Sequence, residues 1–188
     1  QPLSFEVSNV GNETQDIAIK KMTTPWETEG EEVVLTRPEY EWERQTAPVN
    51  EGPVALYRDG RTFVVYAASA CWGPDYKLGM LEYVGGDPLD VESSWRKYEE
   101  PVFQRADERD VYAPGHNTFF MSPDGTEWWM AYHANDMESD GCDMGRTPRI
   151  QQFFWSDDGT PDFGIPVPTD SALAPPSGEP APGTDEGM

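Results

Sequence analysis

The chain has 188 residues, of which 37% are hydrophobic and 12% aromatic, so it can bury a core and wholesale disorder is excluded. Lys and Arg number 13 against 35 Asp and Glu, a formal net charge of −22. That charge repels a phosphate backbone and an anionic membrane surface, which excludes nucleic acid and membrane as partners and permits a neutral substrate such as polysaccharide.

No window holds apolar residues at helical spacing over any length. Short apolar or aromatic runs separated by Gly, Pro, Asp and Asn predict strands at 3–8, 17–22, 33–36, 54–58, 62–68, 77–83 and 101–104. Further strands are expected at 116–121, 127–133, 149–155 and 163–167, which makes an all-β chain. Asp59-Gly60 and Asp124-Gly125 both read as tight hairpin turns, one blade-length apart in sequence. The inner runs Phe63-Val64-Val65-Tyr66 and Trp128-Trp129-Met130-Ala131-Tyr132 are apolar almost throughout, as strands covered on both faces must be. Residues 54–104 and 115–168 thus read as two successive propeller blades, and 1–36 as the end of an earlier one. Two and a half blades cannot close a ring, so an upstream portion is expected. The chain opens at Gln1 with no secretory signal, which points the same way. The Pro/Gly/Ser/Glu-rich stretch 169–188 reads as a disordered tail.

Cys71 and Cys142 allow at most one internal disulfide, and nothing in the sequence requires it. Asn12-Glu13-Thr14 is a glycosylation sequon that decides little. Trp128 and Trp129 lie mid-strand and read as core. Trp72 sits in a Cys-Trp-Gly-Pro-Asp loop just past an inner strand, where an indole either packs or stacks on a sugar ring. His133 ends an inner strand, where it either faces the funnel side or, the preferred reading, is a satisfied structural histidine.

From residue 49 the segments form a recognisable succession. Val49-Asn50-Glu51-Gly52-Pro53 is followed by Ala70-Cys71-Trp72, then Pro74-Asp75-Tyr76-Lys77-Leu78-Gly79. Val111-Tyr112-Ala113-Pro114-Gly115-His116-Asn117, Ser122-Pro123-Asp124-Gly125 and Asp158-Gly159-Thr160-Pro161-Asp162-Phe163-Gly164 come next. Upstream, Ile19-Lys20-Lys21-Met22 and Arg37-Pro38-Glu39-Tyr40 also fit. The ordered set, over residues 15–168, resembles glycoside hydrolase family 43 in its α-L-arabinofuranosidase branch.

The resemblance implies a five-bladed β-propeller with a central funnel, here about two and a half blades. It implies inversion at the anomeric carbon by a general acid, a general base and a third carboxylate that tunes the acid. The Glu of Asn-Glu-Gly-Pro is the acid and carries over to Glu51. The base and the tuning Asp find no match and are expected upstream of Gln1, so the chain alone is expected to be inactive. Asn50, Trp72, His116 and Arg149 are the implied substrate contacts, Arg149 being preferred over Arg146. No cofactor is required. The family's axial His often contacts a calcium or other cation, which makes His116 a candidate metal contact. The implied partner is a plant cell-wall polysaccharide or an arabino- or xylo-oligosaccharide, and the implied location extracellular. Two alternatives stay open: a β-xylosidase of the same family, and a non-catalytic carbohydrate-binding propeller fragment.

Overall fold

The structure, a computed structural model, describes residues 5–11 and 14–180. The Asn12 sequon lies outside the described residues. Three antiparallel meanders follow one another along the chain. The first holds β1 (Phe5–Val10), β2 (Asp16–Thr24) and β3 (Glu27–Thr36). The second holds β4 (Asn50–Arg58), β5 (Arg61–Ala68), β6 (Lys77–Tyr83) and β7 (Trp95–Lys97). The third holds β8 (Tyr112–Met121), β9 (Trp128–Asn135), β10 (Thr147–Trp155) and β11 (Pro161–Asp162). Strands consecutive in sequence pair as neighbours throughout, which is the topology of propeller blades. No helix among the described residues is long and apolar enough to cross a membrane.

Side-chain alternation along β5 explains the stacking. Phe63, Val65 and Ala67 join the core between the second and third sheets, with Leu78, Met80, Met130 and Phe153. Val64, Tyr66 and Ala68 face the other way, into a core with Ile17, Ile19, Leu35 and Trp95. A strand sandwiched between two sheets has no polar face to keep, and its sequence has none. Trp129 is buried, and Trp128 is half-buried against the first of these cores.

Several expectations change. The 101–104 run is not a strand but an isolated bridge, Phe103 to Leu78. The fourth strand of that blade is instead Trp95–Lys97, and in the last blade it is Pro161–Asp162 rather than 163–167. Asp59 and Gly60 both take positive φ, the two-residue turn expected of them. At the matching place, Gly125 alone is left-handed. That connection runs over 122–127, closed by Ser122 N donating to Glu127 O at 2.9 Å, and its Ser122 hydroxyl accepts from the Thr126 and Glu127 amides. Tail residues 169–180 form no regular element, yet Ser177 is tied down: its amide donates to Glu127 at 2.9 Å and its hydroxyl to Asp124 at 2.5 Å. Composition showed nothing for the tail to bury, but polar anchoring needs no burial.

In the connection from β3 to β4 lies Glu43, 0% exposed. One oxygen accepts from Asn50 Nδ2 and the Tyr66 hydroxyl, both at 2.9 Å. The other accepts from the Glu39 and Tyr40 amides at 2.7 and 2.8 Å and from Lys97 Nζ at 2.8 Å. Five donors around one carboxylate replace the water it lost.

Candidate active site

β4 begins at Asn50 and pairs in register only as far as Glu51, opposite Ala67; the ladder then slips and resumes at Val54 opposite Val65. Gly52, at φ +56°, and Pro53, which has no N–H to donate, occupy the slip. A bulge of this kind re-aims the side chain beside it. Glu51 is half-buried, and its Oε1 accepts a hydrogen bond from the Tyr76 hydroxyl at 2.8 Å.

The third sheet supplies the facing wall. β8 slips twice, on either side of Gly115, and Ala113 and His116 take the left-handed conformation at φ 49° and 54°. His116 Nδ1 comes within 3.4 Å of the same Tyr76 hydroxyl. A Cβ on Gly52 would lie 3.2 Å from the His116 ring. From β9, His133 stacks on both rings, 5.6 Å from Tyr76 and 6.2 Å from His116 between centroids. Tyr76 is 0% exposed and fits because Gly115 has no side chain: a Cβ there would sit 2.3 Å from the tyrosine ring. Four residues distant in sequence thus converge: Glu51, Tyr76, His116 and His133.

Burial, reinforced by the Glu51 carboxylate, pushes the Tyr76 phenol well above its ordinary 10.0, so it stays a donor at any physiological pH. Burial, with the positive charge of Arg146 and the nearby His116, lowers His133 from 6.5 to about 4, so its ring is neutral at pH 7. Neither His133 nitrogen has a hydrogen-bond partner among the described residues.

Two loops edge the group. The β5–β6 loop and the β9–β10 loop are joined by the Cys71–Cys142 disulfide, with Cα atoms 5.2 Å apart. Arg105 bridges the same two loops, reaching Asp75 at 3.6 Å and Glu138 at 2.6 Å. Trp72, next to the disulfide, is 59% exposed.

Residues 3–161 match the model of glycosyl hydrolases family 43. The chain belongs to that family. It is 38% identical over 160 residues to alpha-L-arabinofuranosidase 43 of Humicola insolens, covering 83% of this chain and 33% of that protein. To the extracellular exo-alpha-(1->5)-L-arabinofuranosidase of Streptomyces avermitilis it is 39% identical over 153 residues, 79% of this chain and 32% of the relative. The crystal structure of alpha-L-arabinofuranosidase from Lactobacillus brevis superposes with a TM-score of 0.83 at 38% identity, over 92% of this chain and 55% of that one. The family 43 chain therefore spans about a third of the length of the curated relatives it matches.

The site residues expected of a family 43 glycosidase are placed unevenly. Glu51 and His116 come together through Tyr76. Trp72 is exposed beside them in sequence space, on the disulfide-linked loop. Asn50 is not presented to a ligand: it is 0% exposed, its amide committed to Glu43. Arg149 is also withdrawn. Its guanidinium is engaged by Asp136 at 2.6 Å, Val167 O at 2.9 Å and Thr147 Oγ1 at 3.3 Å. Arg146, the arginine passed over, is exposed and is the one whose charge reaches Tyr76 and His133. His133 is a half-buried ring whose two nitrogens are themselves buried and have no hydrogen-bond partner among the described residues. Tyr76 lay unremarked inside the Pro74-Asp75-Tyr76 segment; only a tyrosine so near a glycosidase motif hinted at it.

A metal does not fit here on protein ligands alone. No three His, Cys, Asp or Glu side chains among the described residues converge to hold an ion. His116 offers a single ring, whereas calcium takes about 6–8 oxygens.

Proposed function

We propose that this chain is the acid-bearing part of an α-L-arabinofuranosidase that releases terminal arabinofuranosyl groups from arabinan or arabinoxylan with inversion. The observation that carries the reading is the Glu51 carboxyl, turned out of its ladder by the Gly52-Pro53 bulge and gripped at one oxygen only. Its Oε2 has no hydrogen-bond partner among the described residues. In the reaction Glu51 gives a proton to the glycosidic oxygen as the bond from the anomeric carbon breaks and its electron pair passes to the leaving group. A water attacks the opposite face and yields its proton to a carboxylate base roughly 6.5–9.5 Å from the acid. Neither that base nor the tuning Asp has a match in this sequence, so we place both outside the 188 residues. The chain by itself then turns over no substrate, and no cofactor takes part. Relatives whose names include the words extracellular and arabinofuranosidase support an extracellular location and, as partner, an arabinose-bearing polysaccharide such as that of the plant cell wall.

The test is release of p-nitrophenol from its α-L-arabinofuranoside by the 188-residue chain and by the full-length gene product. Activity in the full-length product alone, abolished by Glu51→Gln, is expected. Binding of arabino-oligosaccharide with no hydrolysis by either protein would turn the reading to a carbohydrate-binding one.

A further inference from the structure

The hydroxyl of Tyr76 is the one hydrogen-bond partner of Glu51's carboxyl among the described residues. We infer that Tyr76 is a positioning residue for the acid step: by donating to Oε1 it fixes the carboxyl rotamer and makes Oε2 the oxygen that carries the transferable proton. The inference rests on the assignment of Glu51 as acid.

A glutamate's terminal torsion is soft and nearly two-fold, so an unpinned carboxyl exchanges its oxygens and its proton sits on either. A donor at one oxygen favours the proton on the other, because the carbonyl-type oxygen is the better acceptor. The phenol has one proton to give. Glu51 Oε1 at 2.8 Å is well inside hydrogen-bond distance and closer than His116 Nδ1 at 3.4 Å, so the proton points to the acid. His116 can then donate into the phenol oxygen, extending the chain of hydrogen bonds to the outer wall.

The donor itself cannot wander. The ring is 0% exposed, lies within 6° of parallel to His133, and closes against Gly115 where no Cβ stands. No bond forms or breaks at Tyr76, and its proton stays on the phenol. The contribution is orientation, which matters for acid catalysis because transfer needs the acid within hydrogen-bond reach of the leaving oxygen.

A merely structural tyrosine and a positioning one differ in leaving-group dependence. The experiment compares Tyr76→Phe and Glu51→Gln with the unaltered full-length gene product on two substrates. An α-1,5-linked arabinobiose needs its departing alkoxide protonated, and 2,4-dinitrophenyl α-L-arabinofuranoside does not. For Tyr76→Phe we expect kcat on arabinobiose to fall about 10–100-fold with KM within about twofold, and kcat on the dinitrophenyl substrate to fall less than about threefold. Glu51→Gln should show the same selectivity more strongly. If Glu51→Gln is selective while Tyr76→Phe loses both substrates equally, or neither, the role of Tyr76 is overturned and the acid assignment stands. If Glu51→Gln shows no selectivity, or the unaltered protein hydrolyses neither substrate, the acid assignment fails and this inference fails with it.

Discussion

The Tyr76 ring lies flat on the His133 imidazole, with centroids 5.6 Å apart and planes 6° from parallel. The imidazole is held neutral there, its protonation point lowered from 6.5 to about 4 chiefly by burial, then by Arg146 and His116. Unfolded, the same histidine takes up a proton near 6.5. Between those two values the unfolded chain binds more protons, so acid favours unfolding. The stabilisation is whole above pH 6.5 and is lost as pH falls through about 4. Because the ring is only half-buried, the loss is on the order of 1–2 kcal/mol rather than the full shift. Melting curves of the chain and of His133→Phe at pH 7, 6, 5 and 4.5 check this. The variant should fall less steeply with pH, the carboxylates common to both cancelling in the comparison.

Gly115 is where Tyr76 needs empty space. Gly115→Ala puts a methyl 2.3 Å from the tyrosine ring. Relief requires Tyr76 or the doubly slipped β8 to move, an overpacking cost of about 1–3 kcal/mol. The melting temperature should fall. In the full-length product arabinobiose hydrolysis should fall with it, whereas Gly125→Ala, strained by its φ of +71° but with nothing within 4 Å, should lower the melting temperature and leave hydrolysis unchanged.

Glu43 is a buried charge whose loss is expected to be costly. Glu43→Gln replaces an acceptor of five hydrogen bonds by a group with a donor facing donors, and leaves Lys97 Nζ without that carboxylate. Breaking such a pair costs about 3–5 kcal/mol. Urea titration of Glu43→Gln, Lys97→Met and the double variant should show the double losing less than the two singles together.

Reduction of Cys71–Cys142 opens a loop with a sequence separation of 71. Loop-closure entropy puts the loss at roughly 4 kcal/mol. Melting with and without dithiothreitol measures it, and a Cys71→Ser, Cys142→Ser variant should match the reduced chain. A melt unmoved by reductant would show that the Arg105 bridge to Asp75 and Glu138 already holds the loops together.

What the sequence made legible follows where single segments carried the signal. β5 was readable because both its faces are covered, so it is apolar from Phe63 to Ala68. β7 was not. Trp95-Arg96-Lys97 is an edge strand whose charged residues serve Glu82 and Glu43, and it looks like a loop. The first half of β3 hid the same way, its Glu-rich residues exposed beyond the core. Glu51 could be named as a candidate because Asn-Glu-Gly-Pro carries the resemblance in four adjacent residues. The stacking of Tyr76 on His133 was not legible, because it forms between a loop of one sheet and a strand of the next. The engagement of Asn50 and Arg149 was hidden for the converse reason. Each sits beside the expected chemistry in sequence, but Glu43 and Asp136 hold their side chains elsewhere.

The surroundings of Glu51 are divided between two sheets that share no strand ladder: Glu51 and Tyr76 travel with the second, His116 and His133 with the third. Packing of side chains such as Val65, Met80, Met130 and Phe153 sets the angle between those two plates, and such contacts are short-ranged and without direction. The distance from the phenol to His116 therefore acts as a gauge of the core. A swap as mild as Met130→Leu would be read as a change in how the two histidines meet the tyrosine.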